Sequence, residues 1–271
     1  MNEAREKLEN YLLTAISAAL KAGDEIMKIY KSDFSVEMKL DHSPLTQADK
    51  NSHEVIKKEL SKFSFPFLSE ENKDEEFVYA LRKNWTKVWI VDPLDGTKEF
   101  VAKNGEFTVN IALVDEQRPI LGVIYQPVTR VIYFAAKGIG SYRKLVSHLE
   151  AFSPEAVLAS ASKLPFRNTK KNYTVVASRS HINNETQHYI DELRKDHPNL
   201  ELIHGGSSIK FCLVAEGSAD IYPRFGPTME WDTAAGQAIC ECVSRKVIDH
   251  QTKKPIIYNR ADLRNNGFTV S

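Results

Sequence analysis

Residues 89–97 read Trp89-Ile90-Val91-Asp92-Pro93-Leu94-Asp95-Gly96-Thr97. The apolar run from Val88 to Val91 predicts a short buried strand that ends at Asp92. Pro93 fixes its own φ and has no N–H, so the strand is expected to stop there. Asp95 then lies one short turn away, and Gly96 lets the backbone approach a ligand closely. Two carboxylates this close repel each other unless a cation sits between them. An oxygen-rich pair of this kind suits a hard divalent ion such as Mg²⁺. A plain type I turn, for which Asp-Pro-x-x is good chemistry, explains the segment taken alone at least as well.

On the N-terminal side, Leu8, Tyr11, Leu12, Ala15, Ile16, Ala19, Leu20, Ile26, Met27 and Tyr30 recur at helical spacing. The polar stretch from Asp41 to Pro44 breaks that pattern. A second helix is expected from about Gln47 to Phe63, and a short buried strand from Phe65 to Leu68 runs into Ser69-Glu70-Glu71. On the C-terminal side, Phe107–Val114, Ile120–Tyr125 and Val131–Ala135 are rich in β-branched and aromatic residues and predict an antiparallel meander. Periodicity weakens between Ser141 and Lys171, and two halves, 1–150 and 151–271, are expected to meet there. In the second half strands are expected at Thr174–Ala177, Glu201–Ile203 and Ala219–Tyr222. Helices are expected at Asn183–Lys195, Ser207–Glu216 and Asp232–Val243. That alternation predicts an α/β second half with a mixed sheet.

Composition narrows the function classes. Thirty-six basic residues balance thirty-six acidic ones among 271, giving a formal net charge of zero. That balance, with no basic–aromatic patch in the sequence, argues against an RNA-binding protein. A chain of this length buries roughly three quarters of its unfolded surface, so it needs no disulfide or structural metal. The three cysteines, Cys212, Cys240 and Cys242, make a poor disulfide framework and suit a reducing cytoplasm. Cys240 and Cys242 are expected in the core. No signal peptide or membrane span is evident.

Three further segments bear on the Asp92–Asp95 turn. Glu70 ends an apolar run and would join the same site from a neighbouring strand, although a solvated charge run explains it alone. Trp231-Asp232-Thr233-Ala234-Ala235-Gly236 puts Asp232 where a helix N-cap belongs, ahead of small residues that allow close packing. Capping and metal binding are compatible, because a carboxylate has two oxygens. Glu230, just before this segment, is expected to point to solvent. Pro44-Leu45-Thr46-Gln47-Ala48-Asp49 places a Thr and an Asp at a helix start. Both suit caps, and Asp49 also suits the orientation of a hydroxyl or a metal-bound water.

Asp92-Pro93-Leu94-Asp95-Gly96-Thr97 with the later Trp231-to-Gly236 run resembles the inositol monophosphatase superfamily. Leu68–Glu71, Val91–Phe100, Gly105–Leu113, Ser178–His181 and Phe211–Ala235 extend the resemblance over nearly the whole chain. With the Tyr222-Pro223-Arg224-Phe225-Gly226-Pro227 run, they are similar to its bacterial 3′(2′),5′-bisphosphate nucleotidases of the CysQ type. The resemblance implies a layered αβαβα sandwich. It implies two or three Mg²⁺ ions held by Glu70, Asp92, the Leu94 carbonyl, Asp95 and Asp232. Thr97 and Asp49 would orient and help deprotonate a water, with Glu70 assisting, and the N–H groups of Gly96 and Thr97 would hold phosphate oxygens. Leu94, Asp95, Gly96, Thr97, Ser178, His181, Gly206, Ser207, Lys210 and Asp232 would contact substrate. A surface helix start explains His181 equally well, and a structural role explains Arg224.

The implied substrate is adenosine 3′,5′-bisphosphate, cleaved to AMP and phosphate with sensitivity to Li⁺. The resemblance also implies a monomer or homodimer, and it admits peripheral attachment to the inner membrane, although no amphipathic anchor is evident. The rival readings are a phosphatase of the same superfamily acting on inositol monophosphate or fructose 1,6-bisphosphate, and a nucleotide sensor that does not cleave. Retention of Asp49, Glu70, Asp92, Asp95, Thr97 and Asp232 argues against the sensor.

Overall fold

Alternation of side chains along the central strands determines the layering. Val88 and Ile90 join one hydrophobic core, while Trp89 and Val91 join another. Successive side chains of a strand point to opposite faces, so a strand buried on both reads as a continuous apolar run. The structure, a computed structural model, describes residues 2–32, 36–38, 44–72, 78–147, 153–166, 172–178 and 182–271.

Chain order begins α1 (Asn2–Tyr30), β1 (Val36–Met38), β2 (Pro44–Thr46), α2 (Gln47–Leu60), β3 (Phe67–Ser69), α3 (Tyr79–Arg82), β4 (Lys87–Asp95) and α4 (Thr97–Val101). The meander follows as β5 (Thr108–Asp115), β6 (Arg118–Gln126), β7 (Val131–Ala136) and β8 (Gly140–Leu145), then α5 (Pro154–Ala159) and β9 (Ser162–Lys163). Next come β10 (Thr174–Ala177), α6 (Asn184–Asp196), β11 (Glu201–His204), α7 (Ile209–Glu216), β12 (Tyr222–Arg224) and β13 (Thr228–Met229). The chain closes with α8 (Glu230–Glu241), β14 (Val247–Asp249), β15 (Arg264–Asn265) and β16 (Phe268–Val270).

The seven strands β3 to β9 form one sheet in sequence order, parallel only between β3 and β4. Helices α1 and α2 cover one face and α7 and α8 the other. Beyond α7 and α8 lie the parallel pair β10–β11 and the antiparallel set β12–β16–β14, joined by a bridge between Val175 and Ile221. Helix α6 covers that layer through Ile190. The order is therefore helix, sheet, helix, sheet, helix, as expected for an αβαβα sandwich.

Differences from the sequence reading are local: β4 does not stop at Asp92 but continues through Pro93 to Asp95, because a bulge accommodates the missing N–H, and β3 spans Phe67–Ser69 rather than Phe65–Leu68. Helix α2 stops at Leu60 rather than near Phe63, with Ser61 as its C-cap. Helix α7 starts at Ile209 because Ser207 takes a positive φ of 50°. The strand expected over Ala219–Tyr222 lies at Tyr222–Arg224. Cys240 is buried and Cys242 half-buried, and all three cysteines are free thiols. Among the described residues no helix is long and apolar enough to cross a membrane.

The seat of α8 on the sheet is a close contact between layers. A Cβ at Gly122 of β6 would collide with the Ala235 carbonyl oxygen, and one at Gly236 with the Phe211 ring of α7. Small residues on both faces of α8 thus let it lie flat between sheet and helix. Gly122→Ala is expected to cost about 1–3 kcal/mol through overpacking, measured by urea unfolding. An unchanged unfolding midpoint would contradict this close seat.

Candidate active site

In a regular strand, Asp92 and Asp95 would point to opposite faces, because three positions separate them. The β4–β5 ladder runs regularly to Asp92↔Asn110 and resumes at Asp95↔Thr108, with a register shift between. Such a bulge absorbs one extra residue and re-aims the side chain beyond it. Asp92 continues the Val88–Ile90 face toward α8, and the bulge brings Asp95 to the same side. Asp92 is almost wholly buried and its Oδ1 accepts the Leu94 N–H at 3.1 Å. Gly96 follows at φ 92°, in the left-handed region, as the N-cap of α4.

Asp95 is caged by neutral donors. Its Oδ2 accepts from Ser207 Oγ at 2.5 Å and Asn110 Nδ2 at 3.2 Å, and lies 2.7 Å from Ser208 Oγ. Asn110 Nδ2 also reaches Ser208 Oγ at 2.8 Å, and Thr108 Oγ1 stands 2.6 Å from Ser207 Oγ. Ser208 Oγ lies 2.9 Å from the Asp232 carbonyl oxygen, so the cage ties the start of α7 to α8. The sequence reading named Ser207 as a substrate contact and missed Thr108, Asn110 and Ser208. For Thr108 and Asn110 the available signal was a lone polar residue in an apolar strand, and for Ser208 its place at a helix start.

Asp232 is the third residue of α8, not its N-cap. Its Oδ2 accepts the N–H of Met229, the true N-cap, at 2.7 Å, which leaves the other oxygen for the site. One carboxylate oxygen from each of Asp92, Asp95 and Asp232 lies within 4.8 Å of the others, a group able to hold a metal ion. Burial first, then the charges of Asp95 and Glu70, push the Asp232 carboxyl well above the ordinary carboxylate range. Hard oxygen donors gathered against their own repulsion are what a divalent cation requires.

Glu230 does not point to solvent. It is fully buried and accepts from Asn259 N (2.6 Å), Arg260 N (3.0 Å) and Arg260 Nε (3.1 Å). Burial outweighs these bonds and pushes its carboxyl up to about 7. Arg82, also fully buried, donates to Asn259 Oδ1 and to the Ala261 carbonyl, both at 3.0 Å. This network anchors the first turn of α8, and with it Asp232.

Thr46 and Asp49 form a capping box at the start of α2: Asp49 Oδ2 accepts the Thr46 N–H at 2.7 Å and its hydroxyl at 2.6 Å. Asp49 Oδ1 accepts the Thr97 hydroxyl at 3.3 Å. The cap and the expected dyad therefore use different oxygens of one carboxylate. Thr97 Oγ1 also lies 3.4 Å from the Leu94 carbonyl. Glu70 follows β3, with its N–H on the Val91 carbonyl at 3.2 Å. It stands beside the acidic group but outside the 4.8 Å trio.

A cavity of about 120 Å³ opens beside these carboxylates, lined among others by Gly96, Ser178, Ser207, Lys210 and Arg224. Gly206, next in sequence to Ser207, packs against Glu106. Lys210 is buried and its Nζ lies 2.5 Å from the Ser207 carbonyl and 3.2 Å from that of Gly205. It thus holds the 205–208 loop from beneath, and burial depresses its pKa to about 8. His181 lies outside the described residues. Wider grooves exist elsewhere, but among the described residues the trio of acids occurs only here.

Fold and site together define a class. A sequence model of the inositol monophosphatase family matches residues 7–270, and the chain belongs to that family. It is 43% identical to the 3′(2′),5′-bisphosphate nucleotidase CysQ of Shigella flexneri, over 93% of this chain and 96% of that one. Identity and coverage are the same for the protein of that name from Escherichia coli strain K12. The crystal structure of CysQ from Bacteroides thetaiotaomicron, described as a bacterial member of the inositol monophosphatase family, superposes with a TM-score of 0.88 at 47% identity, covering 97% of both chains.

The raised Asp232 carboxyl carries a sign. In metal-free protein its penalty is absent where Asp232 is protonated in both folded and unfolded states. It sets in as pH rises above the ordinary carboxylate range and is complete above the raised folded value. Asp232→Asn keeps an acceptor for the Met229 N–H and removes the charge. With chelator at pH 7 the variant is expected to melt higher than wild type, and the gap is expected to close as pH falls toward the carboxylate range. A lower melting temperature at pH 7 would contradict the repulsion.

Proposed function

We propose that this protein is a magnesium-dependent 3′(2′),5′-bisphosphate nucleotidase that hydrolyses adenosine 3′,5′-bisphosphate to AMP and phosphate. The observation that carries the reading is the meeting of Asp92, Asp95 and Asp232 within 4.8 Å beside a Thr97–Asp49 pair. Identity of 43% to curated nucleotidases over 93% of the chain supports the substrate class.

Glu70, Asp92, the Leu94 carbonyl, Asp95 and Asp232 would hold the metal. When bound there, divalent magnesium supplies a lowered pKa for water and neutralises charge on the leaving oxygen. The chain's own groups do the rest. Asp49 Oδ1 accepts the hydrogen bond of the Thr97 hydroxyl, which leaves lone pairs on Thr97 Oγ1 for the attacking water; the water's proton passes to Oγ1 as the hydroxyl's own proton passes to Asp49. A hydroxyl alone is a poor base, so the carboxylate behind it is required. The N–H groups of Gly96 and Thr97 orient the phosphate oxygens. Ser178, Gly206, Ser207 and Lys210 line the side where the nucleotide would lie, with His181 nearby in sequence. A reducing cytoplasm suits the three free thiols.

Phosphate release is to be measured from adenosine 3′,5′-bisphosphate, inositol 1-phosphate and fructose 1,6-bisphosphate, with Mg²⁺ and with added Li⁺. The nucleotide is expected to be preferred and Li⁺ to inhibit. Preference for a sugar phosphate would move the protein to another branch of the family. Thr97→Ala is expected to lower kcat by about 10²–10⁴-fold, and Asp95→Asn to abolish turnover without unfolding the protein. Normal rates in either variant would contradict the assigned roles.

A further inference from the structure

Three polar side chains on one face of α2 are buried where the helix otherwise packs Ala48, Ile56 and Leu60 into the core. They are Asp49, Ser52 and His53, exposed by 1%, 0% and 6%. Positions three and four apart share a helix face. A buried polar group is costly unless it is partnered, so the partners indicate what the stripe is for.

Each side chain grips a different segment of the site. Asp49 holds Thr97. Ser52 Oγ donates to the Pro93 carbonyl at 2.7 Å. That carbonyl lies inside the β4 bulge, where the ladder to β5 is interrupted. His53 Nδ1 shares a 3.0 Å hydrogen bond with Ser69 Oγ, which also receives the Glu71 N–H at 3.3 Å. The His53 ring is fixed edge-on against Phe67, with centroids 5.5 Å apart. Ser69 is the last residue of β3 and immediately precedes Glu70.

Glu70 and the Asp92–Asp95 bulge follow the last pair of the adjacent parallel strands β3 and β4, Ser69 with Val91. Past that pair β3 ends while β4 continues along β5 through the bulge, and α2 bonds to both segments. We infer that Ser52 and His53 are positioning residues: α2 fixes Glu70 relative to the Asp92–Asp95 turn, and the affinity of the acidic site for divalent cations depends on that spacing. The inference rests on the metal-phosphatase reading above and adds two residues that touch neither metal nor substrate.

The test is direct Mn²⁺ binding by titration calorimetry without substrate, alongside the Mg²⁺ concentration giving half-maximal phosphate release. Variants are Ser52→Ala, His53→Leu and His53→Asn, whose amide stands where Nδ1 stood. Ser52→Ala and His53→Leu are expected to weaken Mn²⁺ binding about 10–100-fold, the usual effect of removing a group that orients a ligand. Both are expected to raise the Mg²⁺ requirement in parallel while the substrate KM at saturating metal is unchanged. His53→Asn is expected to restore binding to within about threefold of wild type. If His53→Leu does not fold, Ser52→Ala carries the same expectation. Wild-type Mn²⁺ affinity in the folded variants, or no rescue by His53→Asn, overturns the inference. Weakened Mn²⁺ binding in a protein whose wild type cleaves no bisphosphate would instead sink the nucleotidase reading and leave the positioning role standing.

Discussion

Carboxylates brought within 4.8 Å of one another repel, and much of the buried polar chemistry of this protein holds them in place. Asp95 is tied by Ser207, Ser208 and Asn110, and Asp232 by the Met229 N–H. Arg82, Glu230 and Arg260 anchor the helix that carries Asp232. The ties to Asp95 and Asp232 named here are neutral donors, the buried guanidinium of Arg82 reaches carbonyl and amide oxygens, and Lys210 and Arg224 line the cavity beside the acids. Carboxylates held close together in this way are the setting for divalent binding and for charge stabilisation during phosphoryl transfer.

The layered fold makes this geometry affordable in packing terms. β4 is buried on both faces and pairs regularly with β5 up to Asp92, and its register shifts only at the bulge between Asp92 and Asp95. Close seating of α8 at Gly122 and Gly236 then fixes the third acid against the first two. The acids come from two elements more than a hundred residues apart in sequence: Asp92 and Asp95 flank the bulge of β4, and Asp232 stands in the first turn of α8.

The parts legible in sequence were those with strong local signals. The apolar Val88–Val91 run and the small residues after Asp232 each have a direct backbone consequence, and each appears where expected; Pro93 does not stop the strand but lies in the bulge through which β4 continues to Asp95. The rest was set by tertiary partners. Glu230 read as a solvated charge because its partners, Arg82 and Arg260, lie far along the chain. Asp232 read as an N-cap because helix starts are ambiguous by a few residues, and its carboxylate does reach the N-cap N–H. Thr108, Asn110, Ser52 and His53 carry no motif. Thr108 and Asn110 are single polar residues in an apolar strand, Ser52 and His53 stand in the polar run Asp49–Glu54, and only the folded chain shows what each one holds.

Anomalous diffraction from crystals grown with Mn²⁺ tests the account most directly. It predicts a strong anomalous peak with oxygen atoms of Asp92, Asp95 and Asp232 at metal–carboxylate distances, roughly 2.0–2.4 Å, and Asp95 still bonded to Ser207 and Asn110. Full occupancy of Mn²⁺ elsewhere, with the three carboxylates turned apart and no peak between them, would contradict it.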